Sequence, residues 1–362
     1  MKLPLPRLSL AVLALLLLAP GCRQRPYLET VFQTPYLGFP GGLDNLLRLD
    51  VNRLRGRDWY RETLREARQS PRWGLVIQGF TEQVQYQPWQ EIDELYVGIR
   101  GEVTADQPFR NAVFIARGRF ERPAETLERL RLWLGQEFLI DPPPFRQSTY
   151  GDGWPVFQTS GQSQYRESVV HELSFAFPTL PAAGDNAPPP PTLMVFGLNR
   201  GLFNDTLAVM AGEVDGLQKD AEWLALLQRP NIGALAWGTG RTHNLKFAAV
   251  RELLGRAQAY FFHLDFESSN LKAEVGLVSG SIDQAQALTD LAQQKQQLLA
   301  AAWQPIAPVA PALAEVPGKL FIITEAETTS IRVSLTHLEW RAVRDDFKRI
   351  RSTTQSLPLP PL

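Results

Sequence analysis

The chain has 362 residues, of which 44% are hydrophobic and 21% charged, a balance typical of a folded globular protein and not of a disordered one. Its formal net charge is -1, from 37 basic and 38 acidic residues, so electrostatics gives no reason to expect nucleic acid as a partner. The length suits one large domain or two ordinary ones.

The first residues have the organisation of an export signal. Lys2 and Arg7 supply positive charge, and a largely apolar run extends from Leu8 to Leu18. That run is shorter than the roughly 20 residues that span a bilayer, but it suits the apolar core of a secretory signal. It is followed by Ala19-Pro20-Gly21-Cys22, which contains the only cysteine of the chain.

This ending resembles the lipobox of bacterial lipoproteins, although leucine usually stands at the position of Ala19 and Pro20 is uncommon at the next one. The resemblance implies a signal peptide over 1–21 that is cleaved between Gly21 and Cys22. It also implies covalent diacylglycerol and N-acyl groups on Cys22, and we expect no other cofactor and no metal. Arg23 follows where aspartate would signal inner-membrane retention, so the resemblance implies an outer-membrane protein facing the periplasm.

Two alternatives remain for this segment: an ordinary secretory signal that is cut elsewhere, and a short N-terminal membrane anchor. A lone thiol has no structural use in an exported chain without disulfides, which favours lipid attachment at Cys22. Removal of residues 1–21 leaves 35 basic and 38 acidic residues. Residues 22–42 contain three prolines and no sustained period, so they predict a tether.

Residues 43–228 predict a first α+β unit. Its predicted strands are 46–51, 92–100, 111–120, 154–159, 168–177 and 192–198, and its predicted helices are 57–86, 123–135, 201–211 and 219–228. The proline-rich stretch 181–191 predicts a flexible loop.

Residues 229–351 predict a second unit, followed by a proline-rich tail over 352–362. Its predicted strands are 232–238, 258–267, 270–279, 318–326 and 329–335, and its predicted helices are 246–256, 282–301 and 336–350. The stretch 304–317, rich in proline and alanine, predicts a connector.

The order of elements repeats with an offset near 160 residues, which suggests an internal duplication. The strands alternate one apolar and one polar face, as antiparallel strands covered on one side do. We therefore predict an α+β fold of two similar antiparallel sheets with helices packed on one face of each. The sequence leaves open whether the two sheets merge into one.

A search for catalytic motifs finds none of the familiar signatures. The four histidines, at 171, 243, 263 and 337, are widely spaced, which favours surface or structural roles over metal binding. A weak candidate for anion binding is the segment of Gly238, Gly240, Arg241 and Thr242, interpreted as a glycine-rich turn between a strand and a helix. An ordinary structural turn is the alternative.

Eight arginines between Arg48 and Arg72 are interleaved with acidic residues. They predict a salt-bridged solvent face, with contact to anionic lipid head groups as the alternative. The polar faces of the strands that contain His263, Glu274 and Arg332 are a further candidate surface for a partner. The segment that begins at Leu43, LDNLLRLDVNRLRGRDWYRETL, resembles uncharacterised exported bacterial proteins faintly, and this resemblance implies no activity.

The first functional hypothesis is a lipid-anchored envelope protein with a non-catalytic binding or structural role, with the membrane and an envelope protein as partners. The alternative is a lipoprotein that binds a ligand or lipid in a pocket between helices and sheet, which requires an apolar pocket larger than a packing defect. A hydrolase with an unrecognised site is the third hypothesis, and it requires a cleft of convergent polar groups.

Overall fold

The fold is that of a computed structural model, which describes residues 25–354 except 105–106, 108, 139–143, 152, 160–162, 166–167, 171–172 and 180–191. The predicted signal peptide, Gly21, Cys22, His171, the loop 181–191 and residues 355–362 lie outside the described residues. Within the described part, no helix is long and apolar enough to cross a membrane.

The described α-helices are α1 (Arg25–Gln33), α2 (Val51–Arg55), α3 (Asp58–Gln69), α4 (Pro71–Gln78), α5 (Pro88–Glu91), α6 (Pro123–Phe138), α7 (Arg200–Met210), α8 (Ala221–Leu227), α9 (Arg251–Leu254), α10 (Ile282–Trp303), α11 (Pro311–Glu315) and α12 (His337–Thr354). A π-helix, Gly79–Val84, continues directly from α4.

The described strands are β1 (Asn45–Asp50), β2 (Ile92–Ile99), β3 (Val103–Thr104), β4 (Ala112–Gly118), β5 (Phe145–Tyr150), β6 (Trp154–Thr159), β7 (Ser163–Tyr165), β8 (Ser168–Val170), β9 (Ser174–Ala176), β10 (Leu193–Gly197), β11 (Ala236–Arg241), β12 (Leu245–Lys246), β13 (Ala259–Glu267), β14 (Asn270–Val278), β15 (Phe321–Glu325) and β16 (Thr328–Leu335).

Twelve of these strands form one continuous sheet in the order β15-β16-β14-β13-β11-β1-β2-β4-β10-β9-β6-β5, with every neighbouring pair antiparallel. The α+β fold class is therefore as predicted. The two predicted sheets merge, which decides the point that the sequence left open. The short strands form two separate pairs, β3 with β12 and β7 with β8.

The sheet is pseudo-symmetric about its centre. β1 and β11 pair there, with Leu47 opposite Gly238. On one side the order continues β2, β4, β10, β9, and on the other β13, β14, β16, β15; the first side then has two further strands, β6 and β5. In each half a hairpin is followed by a helix, α6 after β4 and α10 after β14. The repeated order of elements along the chain therefore corresponds to a repeated arrangement in the sheet.

Helices cover both faces of the sheet. α6 and α10 pack on the face of Ala116 and Leu277, through Leu127 and Leu288 among others. On the opposite face, α7 and α8 pack with Ile115, Val195 and Trp237 into the largest core cluster. Two of its fully buried aromatic side chains, Phe203 and Trp223, each contribute about 1.5–3 kcal/mol or more to burial free energy. The structure thus adds a helix layer to the predicted arrangement, which had helices on one face.

The tether prediction for residues 22–42 is wrong for its described part. Residues from Arg25 to Gln33 form α1, and the side chains of Val31 and Phe39 are 0% exposed in the main core. The predicted connector 304–317 is also part of the fold, because α11 lies in it and Leu313 is buried against α12. Pro35 begins a 3₁₀ helix over Pro35–Gly38, and Pro311 begins α11. Neither proline breaks its helix, since the first turn needs no backbone donor there.

Candidate functional site: an apolar cavity under helix α6

A cavity of about 360 Å³ lies between α6, the π-helix and the sheet, and it is partly open to solvent. Aromatic residues form much of its wall: Phe80, Tyr86, Phe120, Phe175, Phe177 and Phe196. The aliphatic part of the wall is Val84, Ile92, Leu127, Leu130 and Met194. We call this space the α6 cavity.

The residue spacing in α6 and in β10 directs these side chains into the cavity. Leu127 and Leu130 are three residues apart, so they lie on the same face of α6. Met194 and Phe196 are two residues apart on β10, so both point to the α6 face of the sheet. Phe175 on β9 stacks on Phe196 with ring centroids 4.7 Å apart, which fixes the floor.

Gly79 brings the π-helix close to α6. A Cβ atom at this position would lie 2.1 Å from the indole nitrogen of Trp133, which is buried on α6. The next residue, Phe80, packs on Trp133 with ring centroids 5.0 Å apart in an edge geometry. The absence of a side chain at Gly79 therefore sets the distance between the two helices that form the cavity wall.

The cavity is larger than native packing leaves by chance. Protein interiors are close-packed, with few voids bigger than a water molecule, whereas ligand pockets measure roughly 300–1,000 Å³. The α6 cavity lies at the lower end of that range, and its walls are almost entirely apolar. Such walls offer few hydrogen bonds to water, so they favour an apolar occupant.

Tyr86 brings a buried hydroxyl group into the wall. Its hydroxyl is buried and has no hydrogen-bond partner among the described residues. Burial, followed by the carboxylates of Glu91 and Asp93, raises the pKa of Tyr86 above its ordinary value. The phenol is therefore neutral at physiological pH and able both to donate and to accept a hydrogen bond. A buried polar group without a partner costs free energy, which a ligand can recover.

A second cleft, the α10 cleft, lies in the other half of the molecule between α10 and residues 248–255. It measures about 920 Å³ and is more open. Ile322 and Ile331 form its floor, and Leu298 and Leu299 of α10 stand at its exposed edge. Its position over β15 and β16 corresponds to that of the α6 cavity over β9 and β10.

The segment predicted to bind an anion does not form a turn. Gly238 and Gly240 lie inside β11, paired with β1 on one side and β13 on the other. A Cβ at Gly238 would lie 2.5 Å from the Phe262 ring, so this glycine serves packing between strands. The predicted glycine-rich loop is therefore wrong, because the strand begins and ends later than the apolar pattern suggested.

The two polar members of that segment also have partners. Arg241 donates to both carboxylate oxygens of Glu222, at 3.1 and 2.8 Å. Thr242 is buried, and its hydroxyl donates to the carbonyl of Ala257. A groove of about 680 Å³ runs beside Thr242 and His243, but Gly238, Gly240 and Arg241 do not line it.

A turn that contains two glycines precedes Trp154. Gly151 and Gly153 have positive φ angles of 52° and 94°, which glycine adopts without strain. Trp154 is buried and stacks on Tyr150. No group of three or more histidine, cysteine, aspartate or glutamate side chains that could hold a metal occurs in the described ranges.

Four of the eight arginines between 48 and 72 are used inside the fold. Arg48 pairs with Glu94, Arg53 with Asp265 and Arg55 with Asp93, so they join β1 and α2 to neighbouring strands. The guanidinium of Arg57 lies 5.3 Å from the centroid of the Phe266 ring. These contacts support the salt-bridged interpretation of the cluster over contact with lipid head groups.

Charged side chains on the polar face of β13 to β16 pair with one another. Arg332 on β16 bonds to Glu274 on β14 and to Glu325 on β15, at 3.2 and 2.6 Å. His263 on β13 lies 3.8 Å from Glu274. Each carboxylate thus has a partner across the strands, which is the pattern of a stabilised solvent face.

Comparison with known proteins finds similarity to solved structures alone. No family model matches the chain, and no curated protein matches it. Among solved structures, crystal form III of TP0453 is similar with a TM-score of 0.41 and 11% identity, over 87% of this chain and 97% of that one. Crystal form IV of TP0453 gives 0.38 and 9%, over 86% and 96%.

Proposed function

We propose that this chain is a lipid-anchored protein of the bacterial outer membrane, facing the periplasm, and that it binds an acyl chain in the α6 cavity without catalysing a reaction. The anchor rests on the sequence before Cys22. The binding role is supported by one observation, a partly open cavity of about 360 Å³ whose walls are almost entirely apolar.

The α6 cavity favours the ligand-binding alternative over a purely structural role. An acyl chain would contact the phenylalanine rings and the aliphatic side chains of Leu127, Leu130 and Met194. Burial of each CH₂ group yields about 0.8 kcal/mol, so even a partly buried chain gains several kcal/mol. A lipid-anchored protein in the envelope works beside membranes, where such chains are abundant.

Binding is tested with a fluorescent fatty acid and the chain from residue 22 carrying Cys22→Ser. Leu130→Trp places a large ring into the cavity and should lower the affinity at least about ten-fold, because the acyl chain loses its space. Leu132→Trp is the matched control, since Leu132 is on the same helix, 49% exposed and not part of the wall. Equal affinities for both variants would contradict the proposal.

The anchor is tested separately in cells. Cys22→Ser should abolish metabolic labelling with palmitate and move the protein out of the membrane fraction, because no other cysteine can carry the diacylglycerol. Unchanged labelling and fractionation would show that the signal is not a lipobox. This result would leave the cavity proposal intact.

A further inference from the structure

The α6 cavity opens into a second space of about 290 Å³ with polar walls, which we call the charged mouth. The two spaces share Tyr86, Glu121 and Thr126 in their walls, so they are contiguous. An apolar space that continues into a charged one has the shape of a site for an amphiphile. Its chain would lie in the first space and its head group in the second.

The charged mouth contains three arginines and three glutamates: Arg119, Arg122, Arg129, Glu91, Glu121 and Glu125. Its formal charge is therefore balanced. A mouth built for a purely anionic head would instead carry a surplus of cations, since every carboxylate repels the incoming anion.

Two of the arginines are available to a ligand. The side chains of Arg119 and Arg122 are 70% and 75% exposed, and their ion pairs with Glu91 and Glu125 are long, at 3.4 and 3.6 Å. Arg129, in contrast, is held between Glu125 and Gln85. The mouth also adjoins the first turn of α6, whose helix dipole adds partial positive charge.

One of the carboxylates is equally available. Glu121 is exposed and makes no ion pair with any residue that the structure describes, although it stands between the two exposed arginines in sequence. Tyr86, whose hydroxyl lacks a partner, marks the border between the apolar and the charged space. The mouth thus offers exposed groups of both signs and a neutral hydroxyl.

We propose that the charged mouth recognises a zwitterionic head group, a phosphate diester that carries a primary ammonium, on a single-chain amphiphile. This rests on the proposed function, because the acyl chain occupies the α6 cavity. The phosphate is bound by the guanidinium groups of Arg119 and Arg122, which suit phosphate oxygens. The ammonium is bound by Glu121. The small volume of the cavity favours one chain over two.

The test measures displacement of the fluorescent fatty acid by three ligands with equal chains: lysophosphatidylethanolamine, lysophosphatidylglycerol and the fatty alcohol. We expect the ethanolamine lipid to bind about three- to five-fold more tightly than the glycerol lipid, as one exposed ion pair gives. Glu121→Gln should remove this preference. Arg119→Gln with Arg122→Gln should weaken both phospholipids several-fold and leave the fatty alcohol unchanged.

Glu128→Gln and Arg131→Gln are the matched controls, because this pair lies on α6 but outside the mouth. They should keep the wild-type ratio. Equal affinity of wild type for the two phospholipids, or a ratio that Glu121→Gln leaves unchanged, would overturn the head-group proposal alone. Failure of all three ligands to displace the fatty acid, or failure of the fatty acid to bind, would overturn the acyl cavity as well.

Discussion

The α6 cavity and the α10 cleft occupy corresponding places in the two halves of one sheet, yet they differ in wall and closure. In the first half, a long segment between β1 and β2 folds into α3, α4 and the π-helix, and its end forms a wall against α6. In the second half, the segment between β11 and β13 is shorter, and its described elements are the two-residue strand β12, a 3₁₀ turn and α9. The sheet is common to both halves, so the segment between β1 and β2 is what distinguishes the binding site.

The walls differ in chemistry as well. The α6 cavity is lined by rigid aromatic rings, whereas the α10 cleft is edged by flexible side chains such as Lys295, which pairs with Glu252 at 2.7 Å. Rigid apolar walls keep a cavity open without ordering costs, since few rotamers are lost on binding. This contrast predicts that only the first of these two sites binds an acyl chain tightly.

The substitution with the largest expected effect separates the two helices that form the wall of the α6 cavity. Gly79→Ala would place a methyl group 2.1 Å from Trp133 and force the π-helix away from α6. We expect a loss of about 1–3 kcal/mol in the free energy of unfolding, measured by urea denaturation, together with weaker fatty-acid binding. Gly41→Ala is the control, because a Cβ there meets nothing within 4 Å. A Gly79→Ala protein as stable as the control would mean that this contact does not set the wall.

A smaller effect compares one tyrosine from each half. Tyr260 on β13 donates a hydrogen bond to Asn45 at 3.0 Å, whereas the Tyr86 hydroxyl has no partner in the described residues. Tyr260→Phe should therefore lower the free energy of unfolding by about 0.5–1.5 kcal/mol, while Tyr86→Phe should leave it unchanged or raise it slightly. Urea denaturation of the two variants measures the difference. Equal losses would indicate that Tyr86 has a partner in the folded protein.

The smallest expected effect concerns the α10 cleft. Leu299→Trp fills the edge of that cleft, so it should change fatty-acid affinity by less than about two-fold if the α6 cavity is the binding site. The same fluorescence titration that is used for Leu130→Trp measures it. A loss as large as that of Leu130→Trp would show that the two sites act alike, and the comparison between the halves would fail.

The sequence was sufficient for the repeated elements, because strand alternation and helical spacing are local signals. β13 alternates apolar and polar residues from Phe262 to Glu267, and β14 does so from Leu271 to Val275. Both strands lie where predicted, within a residue. The pairing of β1 with β11 carries no local signal, since the paired residues, such as Asn45 and Gly240, are far apart in the sequence. The tether was misread because three prolines masked the helical spacing of Leu28, Val31 and Phe32.

The α6 cavity was foreseen only as a requirement of one hypothesis. Met194 and Phe196, spaced by two, show a strongly apolar strand face in the sequence, but a face alone does not reveal whether a helix fills it or leaves space. The deciding contact, Gly79 against Trp133, joins residues from different elements. The glycines of β11 were misinterpreted because turns and close strand packing both require glycine.

Photoaffinity labelling tests the central claim most directly. A fatty acid with a diazirine at its methyl end, bound to the chain from residue 22 with Cys22→Ser and then irradiated, reports the residues that surround the chain terminus. We predict labelled peptides from 79–92, 120–130 and 193–197, which form the α6 cavity, and none from α10. Labels concentrated on 248–255 and α10, or spread evenly over the surface, would contradict the account.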